Sequence, residues 1–276
     1  MMADDLKRFA AFACAWFVLF AASSGASAQT DYYNTDARRP VRIEDAFPVE
    51  RYAFELQVAP LRLERSDDGG YHWEFEPELA YGLFPRTHLE IGLPLLVSDG
   101  EGGESEFGVG GIAVSMLHNL NLETSSLPAF GLAADVLVPV GRFAPDRAYP
   151  SVKAIATRTF GFARFHLNGQ YTFGATPEPR DQVGEASRWM AGVAVDRTFP
   201  LRSALLIGDV YVEQPLHGES DPVWTVEAGA RYQLDPYFAL DAGIGRRVTG
   251  DDRAWFVTFG AARAFAIRSL FPVPRR

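Results

Sequence analysis

Residues 223–234 read Val-Trp-Thr-Val-Glu-Ala-Gly-Ala-Arg-Tyr-Gln-Leu, with apolar and polar side chains in alternation. Along an extended strand, Trp224, Val226 and Tyr232 share one face. Thr225 and Glu227 share the other. Alternation of period two is typical of a β-strand that has one apolar and one polar face. Residues 71–82 and 164–174 repeat the pattern, which predicts an all-β fold.

Segments of this kind recur along most of the chain. They predict a transmembrane antiparallel up-and-down β-barrel of about 12 strands between residues 50 and 265. Arg158 and Arg197 fall in the apolar register of their strands, which indicates a bulge, a strand end or a misplaced strand. The predicted strands are 50–65, 71–82, 86–98, 107–121, 125–139, 150–161, 163–174, 188–199, 203–214, 223–234, 237–248 and 253–265.

The connections between these strands alternate in length. Short ones cover 83–85, 121–125, 161–162, 200–202 and 235–236, and the intervening ones are longer, polar and rich in Gly and Pro. Outer-membrane barrels sort their connections in this way, with short periplasmic turns and longer external loops. A soluble β-sandwich or barrel, the alternative interpretation of the alternation, gives no reason for the sorting.

The first 28 residues predict a secretory signal peptide. Lys7 and Arg8 precede an apolar run at 9–22, and Ala26-Ser27-Ala28 has the small residues of a cleavage site. The run is shorter than the ~20 apolar residues that a spanning helix needs, which disfavours a membrane anchor. Cleavage would remove Cys14 and leave a chain without cysteine. The predicted location is therefore the cell outer membrane, after signal-peptide cleavage.

Aromatic residues favour a membrane over water. Four tryptophans lie near the external ends of descending strands in the apolar register, and a second aromatic follows on each strand eight or ten residues later. That spacing corresponds to roughly 20–25 Å along the membrane normal, close to the apolar band of such barrels. The predicted aromatic belts comprise Trp73, Trp189, Trp224 and Trp255 above, and Tyr81, Phe199, Tyr232 and Phe265 below.

The net charge and the last strand indicate which partners to expect. The net charge of −9 argues against nucleic acid. Outer-membrane lipid and lipopolysaccharide are the expected surroundings. The last strand, with Thr258, Gly260 and Phe265, resembles the C-terminal signal that the outer-membrane assembly machinery recognises, although a tail at 266–276 follows it. No cofactor is predicted.

Charged residues alternate with the lipid-facing ones and are predicted to line the lumen. One interpretation is a transverse field that orients dipolar solutes. The other, which the sequence favours, is a set of paired charges that fill and stiffen a narrow lumen. The predicted acidic wall comprises Glu74, Glu76, Glu78 and Glu90, and the predicted basic wall comprises Lys153, Arg164 and His166.

Catalytic and metal sites find little support in the sequence. A lipid-modifying enzyme would need Ser, His and a polar orienting group on the outside of the barrel. His118, near Ser115 and Asn119, is the candidate in an outward register, but Ser115 falls in the opposite one. His72 shares a face with two glutamates, a spacing that rarely converges on one ion. We therefore predict neither a catalytic nor a metal site.

Residues 29–49 precede the barrel and show no strand period. They are predicted either to hang in the periplasm or to fold into the lumen as a plug, and the sequence leaves both open. The choice matters because a plug would decide whether the barrel conducts.

Several stretches resemble one family. They are Pro-Val-Arg-Ile-Glu-Asp-Ala at 40–46, Ala-Tyr-Gly-Leu at 80–83 continuing into Leu-Glu-Ile-Gly at 89–92, Arg-Thr-Phe-Gly at 158–161 and Gly-Gln-Tyr-Thr-Phe-Gly at 169–174. Together they resemble the outer-membrane barrel family named for the MetA pathway of phenol degradation. The resemblance implies a transporter-like barrel for small solutes, aromatic ones among them, and implies no catalytic residue.

The expected function is a passive channel or transporter for small solutes. The alternatives are a non-conducting barrel with an envelope-structural or binding role and, third, a lipid-modifying enzyme.

Overall fold

A computed structural model describes residues 34–67, 69–99, 105–176, 187–216, 221–250, 253–267 and 270. The described residues form fourteen β-strands, and the predicted strands match them to within a few residues at most ends. They are β1 Ala53–Arg65, β2 Tyr71–Phe84, β3 Thr87–Gly92, β4 Leu95–Asp99, β5 Ser105–Val109, β6 Ile112–Asn119, β7 Ala129–Val138, β8 Tyr149–Thr159, β9 Arg164–Thr172, β10 Ser187–Thr198, β11 Ala204–Pro215, β12 Val223–Asp235, β13 Phe238–Arg247 and β14 Trp255–Ala266.

The strands form one closed antiparallel sheet. β1 pairs with β2 on one side and with β14 on the other, so the first and last strands close the barrel. Strands β6 to β14 pair with their neighbours in chain order, and β3 pairs with β2 and β6. Closure satisfies the backbone groups that an open sheet would leave at its edges, as a membrane-spanning sheet requires.

The fourteen segments make twelve barrel strands, which confirms the predicted number. β2 pairs with both β3 and β4, which form one strand interrupted at Leu93 and Pro94. β5 and β6 likewise form one strand interrupted at Gly110 and Gly111. Gly111 has φ +138°, a conformation that favours glycine, and proline has no N–H for the ladder. The two interruptions face each other, with Gly110 N donating to Pro94 O.

Two local features differ from simple alternation. Strand β1 carries a bulge between Val58 and Leu61, at the position of Pro60. Strand β7 begins at Ala129, later than the predicted residue 125, because Asn121 binds across the preceding turn: its amide contacts Pro128 O and Phe130 N.

Arg158 lies one residue before the end of β8, so the strand-end interpretation of this residue is the correct one. Its guanidinium donates to the carbonyls of Thr124 and Ser125 in the β6–β7 turn. Arg197 lies one residue before the end of β10 and is exposed. Both arginines therefore lie at strand ends.

The segment before β1 lies inside the barrel. Val41, Ile43 and Ala46 are fully buried against inward-facing residues of the wall. The sequence leaves open whether this segment hangs in the periplasm or folds into the lumen. The described residues of the segment lie in the lumen. We call residues 34–49 the plug. The predicted signal peptide lies outside the described residues, and so does most of the predicted C-terminal tail.

Candidate functional site in the barrel lumen

The first half of the plug is basic and lies against the predicted acidic wall. Arg38 Nη2 is 2.6 Å from Glu74 Oε2, and Arg38 Nη1 is 2.5 Å from Glu76 Oε2. Both glutamates are buried and belong to β2. Charge-assisted bonds of this kind are among the stronger hydrogen bonds in proteins. They hold the basic half of the plug to one side of the lumen.

Among the described residues, the largest fully buried side chains are the two arginines Arg39 and Arg231. Arg39 Nη2 lies 2.9 Å from Asp241 Oδ2, and its Nη1 lies 3.3 Å from Asp36 and 3.8 Å from Glu55. Asp36 also lies 2.7 Å from Arg231. Burial acts to raise the pKa of Asp36, but Arg231 and Arg39 outweigh it and hold that pKa below its ordinary value. Arg39 thus joins the plug to β1 and β13.

The second half of the plug is acidic and lies against the predicted basic wall. Glu44 pairs with Lys153, and Asp45 lies 3.8 Å from Arg164. Burial raises the pKa of Asp45 to about 6, against the opposing effect of Arg164 and His166. The plug therefore presents its positive half to the acidic wall and its negative half to the basic wall.

The main chain of the plug is bound by wall side chains. Because the closed sheet consumes the backbone groups of its own strands, a segment inside it must find other partners. The side-chain amide of Asn168 binds both backbone groups of Glu44. Its Oδ1 accepts from Glu44 N at 3.1 Å, and its Nδ2 donates to Glu44 O at 2.8 Å.

Other wall residues bind the plug backbone in the same manner. Backbone N–H groups donate from Arg42 to Glu227 (2.6 Å), from Ile43 to Asp209 (3.0 Å), from Ala46 to Thr157 (3.1 Å) and from Val49 to His88 (3.2 Å). Backbone carbonyls accept at Asn34 from Arg231, at Pro40 from Thr258 (3.1 Å) and at Ala46 from Asn119 (2.9 Å).

Apolar packing adds to the polar contacts. Val41 and Ile43 pack in one cluster, and Ala46 and Phe47 pack in a second. Such burial contributes about 25 cal/mol per Å² of apolar surface removed from water. The wall residues of the first cluster are Met190, Ala194, Ile207 and Tyr211, and those of the second are Leu117, Ala129, Ala133 and Ile155.

Glycines in the wall make room for the plug. A Cβ at Gly243 would lie 2.6 Å from Pro40 O, and a Cβ at Gly192 would lie 2.6 Å from Ile43 Cδ1. Contacts below 3.0 Å force a shift of one of the partners. The small residues at inward-facing positions therefore follow the path of the plug.

A cavity lies on each side of the plug. The one toward the long loops has a volume of about 220 Å³ and is lined by Glu78, Glu90, Lys153 and Tyr149, among others. The one toward the short turns has a volume of about 420 Å³ and is lined by Ala53, Thr159 and other residues. Asp36 of the plug contributes to both linings. Both cavities are large enough for water, which occupies about 30 Å³ per molecule.

Most of the charged residues predicted to line the lumen do line it. The acidic and basic walls are connected through the plug, which pairs with residues of both. Glu74 and Glu76 bind Arg38. Glu78 and Glu90 line the cavity toward the long loops, where Ser115 donates to Glu90 at 3.2 Å. On the other wall, Lys153 binds Glu44. Arg164 and His166 both contact Asp196, each at 2.8 Å.

Several residues that bind the plug were not among those predicted to line the lumen. Asn119, Thr157, Asn168 and Thr258 are buried, inward-facing and neutral, and each binds the plug backbone. Charge patterning does not mark such residues. The one sequence signal for them is their inward register, together with the glycines of the same register.

The predicted belt residues lie at the outer surface. Trp73, Trp224 and Trp255 are exposed, and Trp189 is half-buried. Phe199 and Tyr232 of the lower set are exposed as well. Tyr81 and Phe265 both stack on Phe54 of β1, at ring-centroid distances of 4.4 and 5.3 Å. Phe54 thus extends the lower set across three neighbouring strands.

The residues considered for catalysis have separate partners. Ser115 donates to Glu90, His118 Nδ1 lies 2.8 Å from Thr87 Oγ1, and Asn119 binds the plug. Within the part of the chain that the structure describes, no group of three or more His, Cys, Asp and Glu is placed to hold a metal ion. None of the described residues forms a helix that is long and apolar enough to cross a membrane.

These features define an outer-membrane β-barrel of twelve strands whose lumen holds a segment of its own chain. The chain belongs to the family described as "Putative MetA-pathway of phenol degradation", whose model matches residues 71–265. No curated protein matches it by sequence.

Solved structures are similar to this chain at low sequence identity. The COG4313 outer membrane channel from Pseudomonas putida F1 is 12% identical with a TM-score of 0.56, over 80% of this chain and 98% of that one. The KdgM porin is 11% identical with a TM-score of 0.50, over 77% and 99%. Outer membrane phospholipase A from Escherichia coli is 12% identical with a TM-score of 0.42, over 86% and 98%.

Proposed function

We propose that the protein is a passive outer-membrane channel for small polar solutes and that the plug must move for solutes to pass. The observation that carries the proposal is a charged lumen with a cavity on each side of a segment whose contacts with the wall are ion pairs, hydrogen bonds and apolar packing. A channel needs polar walls and binding weak enough for release. Two solved structures with the same fold, one named an outer membrane channel and the other a porin, support this assignment.

The path through the channel follows from the two cavities. Solutes enter from the long-loop side, which is the external side in outer-membrane barrels, and reach the cavity beside Glu78 and Glu90. The plug separates this cavity from the one beside Thr159. Displacement of the plug joins the two. Small solutes fit a twelve-stranded barrel, which lies between side-chain-filled barrels of eight strands and open porins of sixteen.

A non-conducting binding barrel is the second candidate, because the plug makes many specific contacts with the wall. Ion pairs at Arg38 and Arg39 and the paired amide of Asn168 would suit a permanent filling as well as a gate. The two candidates differ in whether the plug leaves its seat.

An engineered disulfide separates these candidates. A Cβ built at Gly131 would lie 3.3 Å from Ala46 Cβ, close to the Cβ–Cβ separation of about 3.5–4.5 Å in disulfides. The double variant Ala46→Cys/Gly131→Cys should therefore lock the plug to β7. We expect oxidised protein in a planar bilayer to pass little current and the same protein after reduction to regain the wild-type level.

Each single cysteine variant serves as a control and should not respond to the reductant. Equal currents in the oxidised and reduced double variant would mean that plug movement is not needed. Lack of conductance in the reduced variant and in the wild type would favour the binding barrel.

A further inference from the structure

The plug contacts have the form of a peptide-binding site. Five plug N–H groups and four plug carbonyls are hydrogen-bonded by side chains of the wall. Such bonds do not depend on the side chain of the residue that is bound. In known peptide-recognition sites, main-chain bonds supply affinity and side-chain pockets supply specificity.

The wall also has pockets that distinguish side chains. One end receives basic residues, with Arg39 fully buried among Asp241 and Glu55. The opposite end receives acidic residues, with Glu44 against Lys153. Between them an apolar pocket holds Ile43. The order along the bound chain is therefore basic, apolar and acidic.

We propose that the lumen wall is a binding site for extended peptides supplied from outside the chain, and that peptides with this order of charges are ligands of the channel. Their role as transported solutes rests on the proposed channel function, whereas their binding does not. The plug then acts as a tethered competitor, which occupies the site until a peptide of the same chemistry displaces it.

The charge order sets the selectivity of the site. A peptide with reversed charges would place carboxylates against Glu76 and Asp241 and an ammonium against Lys153. Loss of even one charge-assisted hydrogen bond of this kind weakens binding about tenfold or more. Reversal should therefore weaken binding by at least about tenfold.

The test weakens the tethered plug and leaves the wall intact. In full-length Ile43→Asp protein, the plug would place a carboxylate beside Tyr211 and near Asp209, so it should leave its seat more often. Full-length Arg39→Ala protein provides a second variant that leaves the wall unchanged. The probe is a synthetic, dye-labelled peptide of residues 34–49 with the native sequence.

Two further peptides provide the comparison. One carries reversed charges at the positions of Arg38, Arg39, Glu44 and Asp45. The other keeps these four residues, Pro40 and the apolar Ile43, and has alanine elsewhere. We measure fluorescence anisotropy in detergent and blockade of single-channel current in a bilayer. We expect the native and alanine-background peptides to bind and to block current, and the reversed peptide to bind at least about tenfold more weakly.

The outcomes separate the site from the channel. Equal binding of the reversed peptide, or lack of binding by all three, overturns the proposed site. Binding of the native peptide alone also overturns it, because the site would then recognise only its own segment. If the peptides bind as expected but neither variant conducts, the peptide site stands and the channel function fails.

Discussion

The two faces of the barrel wall differ in what they contact. The outer face contacts lipid. Its exposed apolar residues, such as Trp224, Val226 and Tyr232, require only an apolar environment and no particular partner. The inner face contacts one particular segment, the plug, and its residues form specific hydrogen bonds and ion pairs with that segment. Asn168, for example, binds both the N–H and the carbonyl of Glu44.

The difference teaches where substitutions should matter. Lipid adapts to a changed side chain, so a substitution on the outer face should have a small effect that depends mainly on apolar area. The packed lumen adapts little, because close-packed interiors respond to even one added methylene. Conductance should therefore respond to inner-face changes and hardly at all to outer-face changes.

The largest effect is expected from a wall glycine. In Gly243→Val, the new Cβ would lie 2.6 Å from Pro40 O and 2.7 Å from Thr258 Oγ1, the hydroxyl that binds Pro40 O, and overpacking of this kind costs about 1–3 kcal/mol. The plug is the part that can yield, since β13 is held on both sides by its neighbours. We expect the open-channel conductance in a planar bilayer to rise several-fold.

Gly169→Val is the matched control on the outer face. Gly169 is exposed on β9, and a Cβ added there would meet nothing within 4 Å, so conductance should stay at the wild-type level. Similar conductance for both valine variants would show that substitutions on the inner and outer faces do not differ in their effect on the plug.

The same distinction explains what the sequence could predict. Alternation and loop lengths predict twelve strands, because lipid contact imposes a regular requirement on every second residue. The position of the plug depends on contacts such as Arg39 with Asp241, which are 202 residues apart. No local pattern encodes that pairing. Pro40 and Gly243 are equally remote, so the glycine path became interpretable only with the fold.

An intermediate effect is expected from the buried ion pair. In Arg39→Ala, the carboxylates of Asp241, Asp36 and Glu55 lose a shared cation, which destabilises the seated plug, although Asp36 keeps its pair with Arg231. Part of this cost is offset because water can enter from the adjoining cavity. We expect faster maleimide labelling of a cysteine at Val41, which is fully buried in the seated plug.

A double-mutant cycle with Asp241→Asn checks that the effect passes through this pair. The cysteine background is otherwise clean, because the chain's single cysteine is Cys14 in the predicted signal peptide. The two substitutions should be less than additive in their effect on labelling. Additive effects would place the role of Arg39 elsewhere in the plug.

The smallest effect is expected on the outer face. Trp224→Ala removes apolar area that faces lipid, and at about 25 cal/mol per Å² it should lower the folding free energy in lipid vesicles by about 1–2 kcal/mol. Trp224→Phe should recover part of the loss because it keeps an aromatic ring at the same height. Conductance should be unchanged in both variants. A change in conductance without a change in stability would show that this residue influences the lumen, and the separation between the two faces would then fail at this position.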